Sequence, residues 1–163
     1  MSDHGLAPVA SSLNLEQAQA ISNAARAAAR EADLLPLTIA VLDAGGQLVH
    51  FLREDGCGTV RMEIAVGKAA AALGMGMATR EIRDRLKERI AFQGAIATAA
   101  DGRFIPVPGG VLILDAAGQA IGAVGISGDA SDRDEYAAIA GIQTAGLASR
   151  PAAPAENWQA AGL

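Results

Sequence analysis

Two stretches of this chain share one layout. LTIAVLDAGGQLVHFLR, Leu37 to Arg53, and GGVLILDAAGQAIGAVGISG, Gly109 to Gly128, each run from an apolar segment through Asp-Ala and a glycine turn into a second apolar segment. Aspartate tolerates turn geometry and glycine accepts positive φ at little steric cost, so each reads as a β-hairpin. Two hairpins separated by helical sequence constrain the chain strongly. They suit an α+β fold, with about five antiparallel strands in one sheet and helices flanking it.

The intervening segments fill this in. Residues 1–13 lack periodicity and read as a mobile N-terminal arm. Asn14, with Gln17 three places on, forms a capping-box pattern for a helix whose apolar face is Leu15, Ala18, Ile21, Ala25 and Ala28, running to about Asp33. Pro36 breaks it. After the loop Arg53-Glu54-Asp55-Gly56-Cys57-Gly58, Thr59 is the expected cap of a slim Ala/Gly helix reaching about Met77. A short charged helix follows from Thr79 to about Arg89. Residues 94–108 read as irregular, with a short strand near Phe104 and Ile105. Ser131 is the expected cap of a last helix, with Asp134 completing a capping box. From 149 to 163 the chain reads as an extended tail whose Trp158 should dock, leaving 14–148 as a single domain.

At 163 residues one core suffices. Mean hydropathy is +0.25, yet no run approaches the roughly 20 apolar residues of a membrane span. No basic-then-apolar leader follows Met1, so a cytoplasmic protein without membrane partners is expected. A net charge of −5 with 3% aromatics argues against a nucleic-acid partner. The single cysteine, Cys57, excludes an internal disulfide. Abundant alanine and glycine bury little area per residue, which makes homo-oligomerisation the expected source of extra stability.

Several residues are chemically conspicuous. Gly109-Gly110 lets backbone approach something closely, either a ligand carboxylate or simply its own turn. Gly122, Gly125 and Gly128 weaken a strand unless a neighbour fills the space, and the slim helix is favoured over a ligand as that neighbour. Ser127-Gly128 leads into a helix N-terminus that would favour an anion, with nearby acidic residues competing for the place. Lys68, midway along the slim helix, must snorkel, pair with Glu54, Glu63, Asp134 or Glu135, or meet a ligand anion. Arg53 and Lys68 could together hold a dicarboxylate, with Glu63 or Glu135 as general base. His4 and His50 are the only imidazoles; a packed or solvent-facing strand residue is the favoured reading of His50, with metal ligation the alternative. No nucleophile elbow, P-loop, dinucleotide fingerprint or zinc-ligand spacing occurs.

In this order, Val41-Leu42-Asp43-Ala44-Gly45-Gly46, Arg53-Glu54-Asp55-Gly56, Ile64 to Ala70, Gly109-Gly110-Val111-Leu112, Ile121 to Gly128 and Asp132-Arg133-Asp134-Glu135 resemble the signature of the GlcG/HbpS-like haem-binding family, related to the C-terminal domain of PduO-type proteins. The resemblance spans roughly residues 14 to 148. It implies a profilin-like fold and a homo-oligomer, often an octamer. Some relatives bind haem or corrinoid, and His50 would then be the candidate metal ligand. Others lie near glycolate or diol catabolism. Three functions follow as expectations: a haem or small-molecule binder with a glycine-rich interface pocket formed by Arg53, Lys68, Gly109, Gly110, Ser127 and Gly128; an enzyme acting on a small carboxylate; or a non-catalytic assembly partner of a pathway enzyme.

Overall fold

The computed structural model describes residues 4–163, so the first three residues of the expected arm lie outside it. The elements are α1 (Leu15–Glu31), β1 (Thr38–Asp43), β2 (Leu48–Arg53), α2 (Arg61–Met75), α3 (Thr79–Leu86), α4 (Ile90–Ala99), β3 (Gly110–Leu114), β4 (Ala120–Ser127), α5 (Ser131–Thr144), β5 (Ala148–Arg150) and a 3-10 turn at Trp158–Ala160. This is the expected α+β fold. The five strands lie in the order β2-β1-β4-β3-β5, every neighbouring pair antiparallel. Among the described residues no helix is long and apolar enough to cross a membrane.

Both hairpins form as the turn chemistry dictates. Asp43 Oδ1 accepts the Gln47 amide at 2.9 Å, and Asp115 Oδ1 accepts those of Ala117 and Gln119 at 2.9 Å each. Gly46 and Gly118 take the positive φ that each turn needs, at 75° and 78°. The hairpins join through β1 and β4, in register from Thr38↔Ser127 to Asp43↔Gly122.

Strand alternation sends two sets of side chains to opposite faces. Ile39, Val41, Val111, Ile113, Val124 and Ile126 form the main core with Ile21 and Ala25 of α1 and Ala138 and Ile142 of α5. On the other face, Leu42, Leu112 and Ala123 meet Ala69 and Ala72 of α2. That helix lies almost on the sheet. A Cβ built on Gly125 would collide with the carbonyl oxygen of Ala65, and one on Gly110 with that of Lys68. Gly110 and Gly125 therefore accommodate α2, as expected for Gly125, whereas Gly122 lies against Leu13 and Leu42 O and Gly128 against Pro36 O and Leu37.

Several local expectations change. Phe104 and Ile105 form no strand: Phe104 is buried against Ile82 and Leu86, and the fifth strand is Ala148–Arg150, in the stretch expected to be domain end and tail. Residues 90–99, largely expected to be irregular, are helical. The Asn14–Gln17 capping box is present. Neither Thr59 nor Ser131 caps a helix; the N-cap positions are Val60 and Ala130. Asp134 accepts the Asp129 amide at 2.9 Å on one oxygen, in place of the expected Ser131 amide, and a lysine holds its other oxygen. Chain order begins before α1, since Ser12 Oγ donates to Ile121 O and accepts the Ala44 amide, both at 2.9 Å, and Leu13 is buried. At the other end, Trp158 stacks on Tyr136 with ring centroids 3.7 Å apart.

Candidate functional site

The closeness of α2 to the sheet decides the fate of its lysine. Lys68 is 2% exposed. Its Nζ donates to Ile126 O at 2.8 Å and to Asp134 Oδ2 at 3.0 Å, so the ammonium bridges β4 and the first turn of α5. Gly109 and Gly110 sit over it: a Cβ on Gly109 would lie 2.8 Å from Nζ, while the Gly110 amide donates to Thr79 Oγ1 at 2.8 Å. Burial pulls the Lys68 pKa down, opposed by Asp134. It pushes Asp134 up to about 6, with Lys68 resisting.

Glu135 is buried beside this pair. Arg80 Nε approaches its Oε1 at 3.4 Å, yet neither carboxylate oxygen has a well-aligned hydrogen bond. Burial raises its pKa to about 7; Arg80 is the main opposing influence, and the Ala155 amide opposes it weakly. Both carboxylates thus hold protons more tightly when folded than when unfolded. Their contribution is fully present below about pH 4 and is lost as pH rises through their folded values. Glu135→Gln removes one of these groups. Its melting temperature should fall less than the parent's between pH 5 and pH 8, and at pH 8 the variant should be the more stable by on the order of 2 kcal/mol. Equal melting temperatures at pH 8 would show that the ionised carboxylate is not a burden.

Lys68, Gly109, Gly110 and Glu135 therefore converge, but around a sealed interior. Ser127 is also buried, its Oγ accepting from Arg61 at 3.2 Å, and Gly128 lies under the carbonyl of Pro36. The Cys57 thiol lies 3.1 Å from Thr38 Oγ1. The remaining candidates lie elsewhere. Glu63 is exposed on the outer side of α2. Arg53 is exposed at the end of β2, away from the enclosed Lys68, and lines an open cleft with Arg26 and Arg30. His50 pairs with Val41 in register on the α1/α5 face; it is half-buried, with Nδ1 enclosed and unpartnered. His4 is exposed in the arm. Among the described residues no group of three or more His, Cys, Asp or Glu side chains is placed to hold a metal ion.

A surface that the sequence reading passed over lies on the outer side of α2. The helix α4, IAFQGAIATA, is apolar almost throughout, yet none of its residues is fully buried. An all-apolar helix normally lies inside a protein. Here it borders, through Ile96 and Ala99, a cleft of about 230 Å³, which shares Ala70, Gly74, Ala100 and Arg103 with an adjoining cleft of about 310 Å³. A third, about 260 Å³, continues past Arg103 along Met62, Glu63 and Val66. The available signal is the apolar, alanine-rich run of residues 94–100, interrupted among its side chains only by Thr98.

A family model described as haem degrading protein, HbpS-like, matches residues 13–143. In structure the chain is similar to a PduOC:heme complex, with a TM-score of 0.76 and 25% identity, over 85% of this chain and 98% of that one. It is also similar to a double mutant of HbpS from Streptomyces reticuli, with a TM-score of 0.69 and 27% identity, over 88% and 92% of the two chains. Among curated proteins, an uncharacterized 15.0 kDa protein of the dhaT-dhaS intergenic region of Citrobacter freundii is 29% identical over 126 residues, 77% of this chain and 87% of its own. The matched segment contains both hairpins, the slim helix with Lys68, and the Asp134-Glu135 helix start, and the chain belongs to the HbpS-like family of haem degrading proteins.

Proposed function

We propose that this protein binds haem or a closely related tetrapyrrole on the outer face of α2, in the groove that α2 shares with α4. The observation that carries the reading is the apolar helix α4, left without a fully buried residue beside clefts walled by Ala70, Ala71, Gly74, Ile96 and Phe104. A haem presents a flat apolar ring with two carboxylates at one edge, and this lining suits the ring. Arg103 borders three of the clefts and donates to Gly46 O at 3.0 Å through Nη2 alone, which leaves guanidinium donors for a propionate. The Met75 thioether, also at the groove, is a ligand type that haem iron accepts. His50 lies on the opposite face of the sheet and is the alternative ligand. Bound haem would supply iron-centred redox and ligand-binding chemistry. The chain's own share is to shield one ring face and anchor the propionates, and a second copy of the chain would cover the other face.

The groove can be closed without damage. A Cβ on Gly74 meets nothing within 4 Å, and leucine is the better helix former, so Gly74→Leu should fold normally. Haemin titrated into the protein should give a saturable, shifted Soret band, with affinity reduced at least tenfold in Gly74→Leu. Undiminished binding in that variant would move the site elsewhere. Comparing Met75→Leu with His50→Ala, by the position of the band, identifies the iron ligand.

A further inference from the structure

Beyond β5 the chain turns back over the start of α5. None of residues 151–160 is fully buried, and Ala152, Ala153, Glu156 and Asn157 are exposed. The segment follows the last strand, and side chains of the body hold it down. Gln143 Nε2 donates to Ala152 O at 2.7 Å and Arg80 Nη2 to Ala153 O at 3.0 Å. The Ala155 amide faces the Glu135 carboxyl, and Trp158 stacks on Tyr136. A cover with so little buried surface can open locally while the sheet and helices stay folded.

Glu135 lies against this segment. It is 0% exposed, and its two carboxylate oxygens have no well-aligned hydrogen bond. One guanidinium joins carboxyl and cover, because Arg80 Nε lies 3.4 Å from Glu135 Oε1 while Nη2 holds Ala153 O. The other charges around the carboxyl are Arg83 of α3, Asp132 of its own helix, and Lys68 of α2, which is engaged by Asp134. Arg80 and Arg83 favour the ionised carboxylate and Asp132 disfavours it, yet loss of water outweighs them and raises the pKa to about 7. Lifting the segment returns water to the carboxyl, so ionisation and opening favour one another.

We infer that residues 151–160 form a proton-operated strap, closed over α5 while Glu135 is protonated and loosened when that carboxyl ionises. Closure takes up a proton. The closed form is therefore fully favoured at acid pH, and its ratio to the open form falls about tenfold for each pH unit above about 7. Opening uncovers the Tyr136 ring and releases the Arg80 donor that holds Ala153 O. None of these residues lines the groove proposed for haem, so the strap stands or falls separately from that reading.

Trp158 is the chain's single tryptophan, so its quenching by acrylamide reports on the strap in the protein without added haem. From about pH 5.5 to about pH 8.5 the quenching constant of the parent should rise about twofold or more, with unchanged helical circular dichroism. Glu135→Gln has nearly the same shape and stays neutral throughout; its constant should remain at the acid value across the range. A flat profile in the parent, a rise that persists in Glu135→Gln, or a rise accompanied by loss of helix would each overturn the inference.

Discussion

Gly125→Val should lose about 3 kcal/mol or more of stability, lowering the melting temperature by roughly 6–12 °C. Gly125 sits where β4 passes under α2, and the first atom of any side chain would meet the Ala65 carbonyl and lie 2.8 Å from the Ala69 amide nitrogen. Both obstacles are backbone, so no rotamer relieves them, and the helix would have to lift from the sheet. Lifting it opens Leu42, Leu112 and Ala123 to water and loosens the seat of Lys68. Gly125→Ala should fall between parent and valine variant. Thermal denaturation of the three proteins side by side is sufficient, and a valine variant with the parental melting temperature would refute the contact.

Lys68→Ala should be comparably severe, at about 3–5 kcal/mol, because it leaves the buried Asp134 carboxyl without its cation. Asp134→Ala should do similar damage by stranding the ammonium. If removal of a partner is what hurts, the double substitution Lys68→Met with Asp134→Leu should recover part of the loss, since apolar groups of similar size need no counter-charge although the Asp129 amide loses its acceptor. Urea denaturation of Lys68→Met, Asp134→Leu and their combination measures the coupling directly. A Lys68→Ala protein of unchanged stability that had lost only ligand affinity would show instead that the lysine serves a ligand.

The features legible in the sequence were those set by local chemistry. Asp43 and Asp115 each organise their own turn within four residues, and Asn14 and Gln17 satisfy one another across a single helical turn. Gly125 of β4 foretold a close neighbour, and the slim composition of α2 identified it, whereas the neighbour of Gly122 is Leu13. What escaped depends on distant partners. Phe104 looked like a strand residue, yet its side chain is captured by Ile82 and Leu86 of α3. Ala148–Arg150 carries no strand signal of its own and pairs because β3 offers a free edge there. Gly109 leaves room for Lys68, but sequence does not show that the lysine is already engaged by Asp134 and Ile126 O. Arg26 and Arg30 give no hint of sharing Glu54, because they sit on an amphipathic helix whose exposed face is ordinarily charged.

The junction between the hairpins also governs how the chain reaches its native state. Each hairpin can close within microseconds, because its strands adjoin in sequence. The central pairing of β1 with β4 cannot: Thr38 meets Ser127 only after the intervening helices have been gathered in. Closing that loop costs chain entropy before the contacts it permits can compensate, so docking of the hairpins should set the folding rate. The sheet is thus assembled from two fast local units and one slow seam, and the seam is where α2 comes to rest.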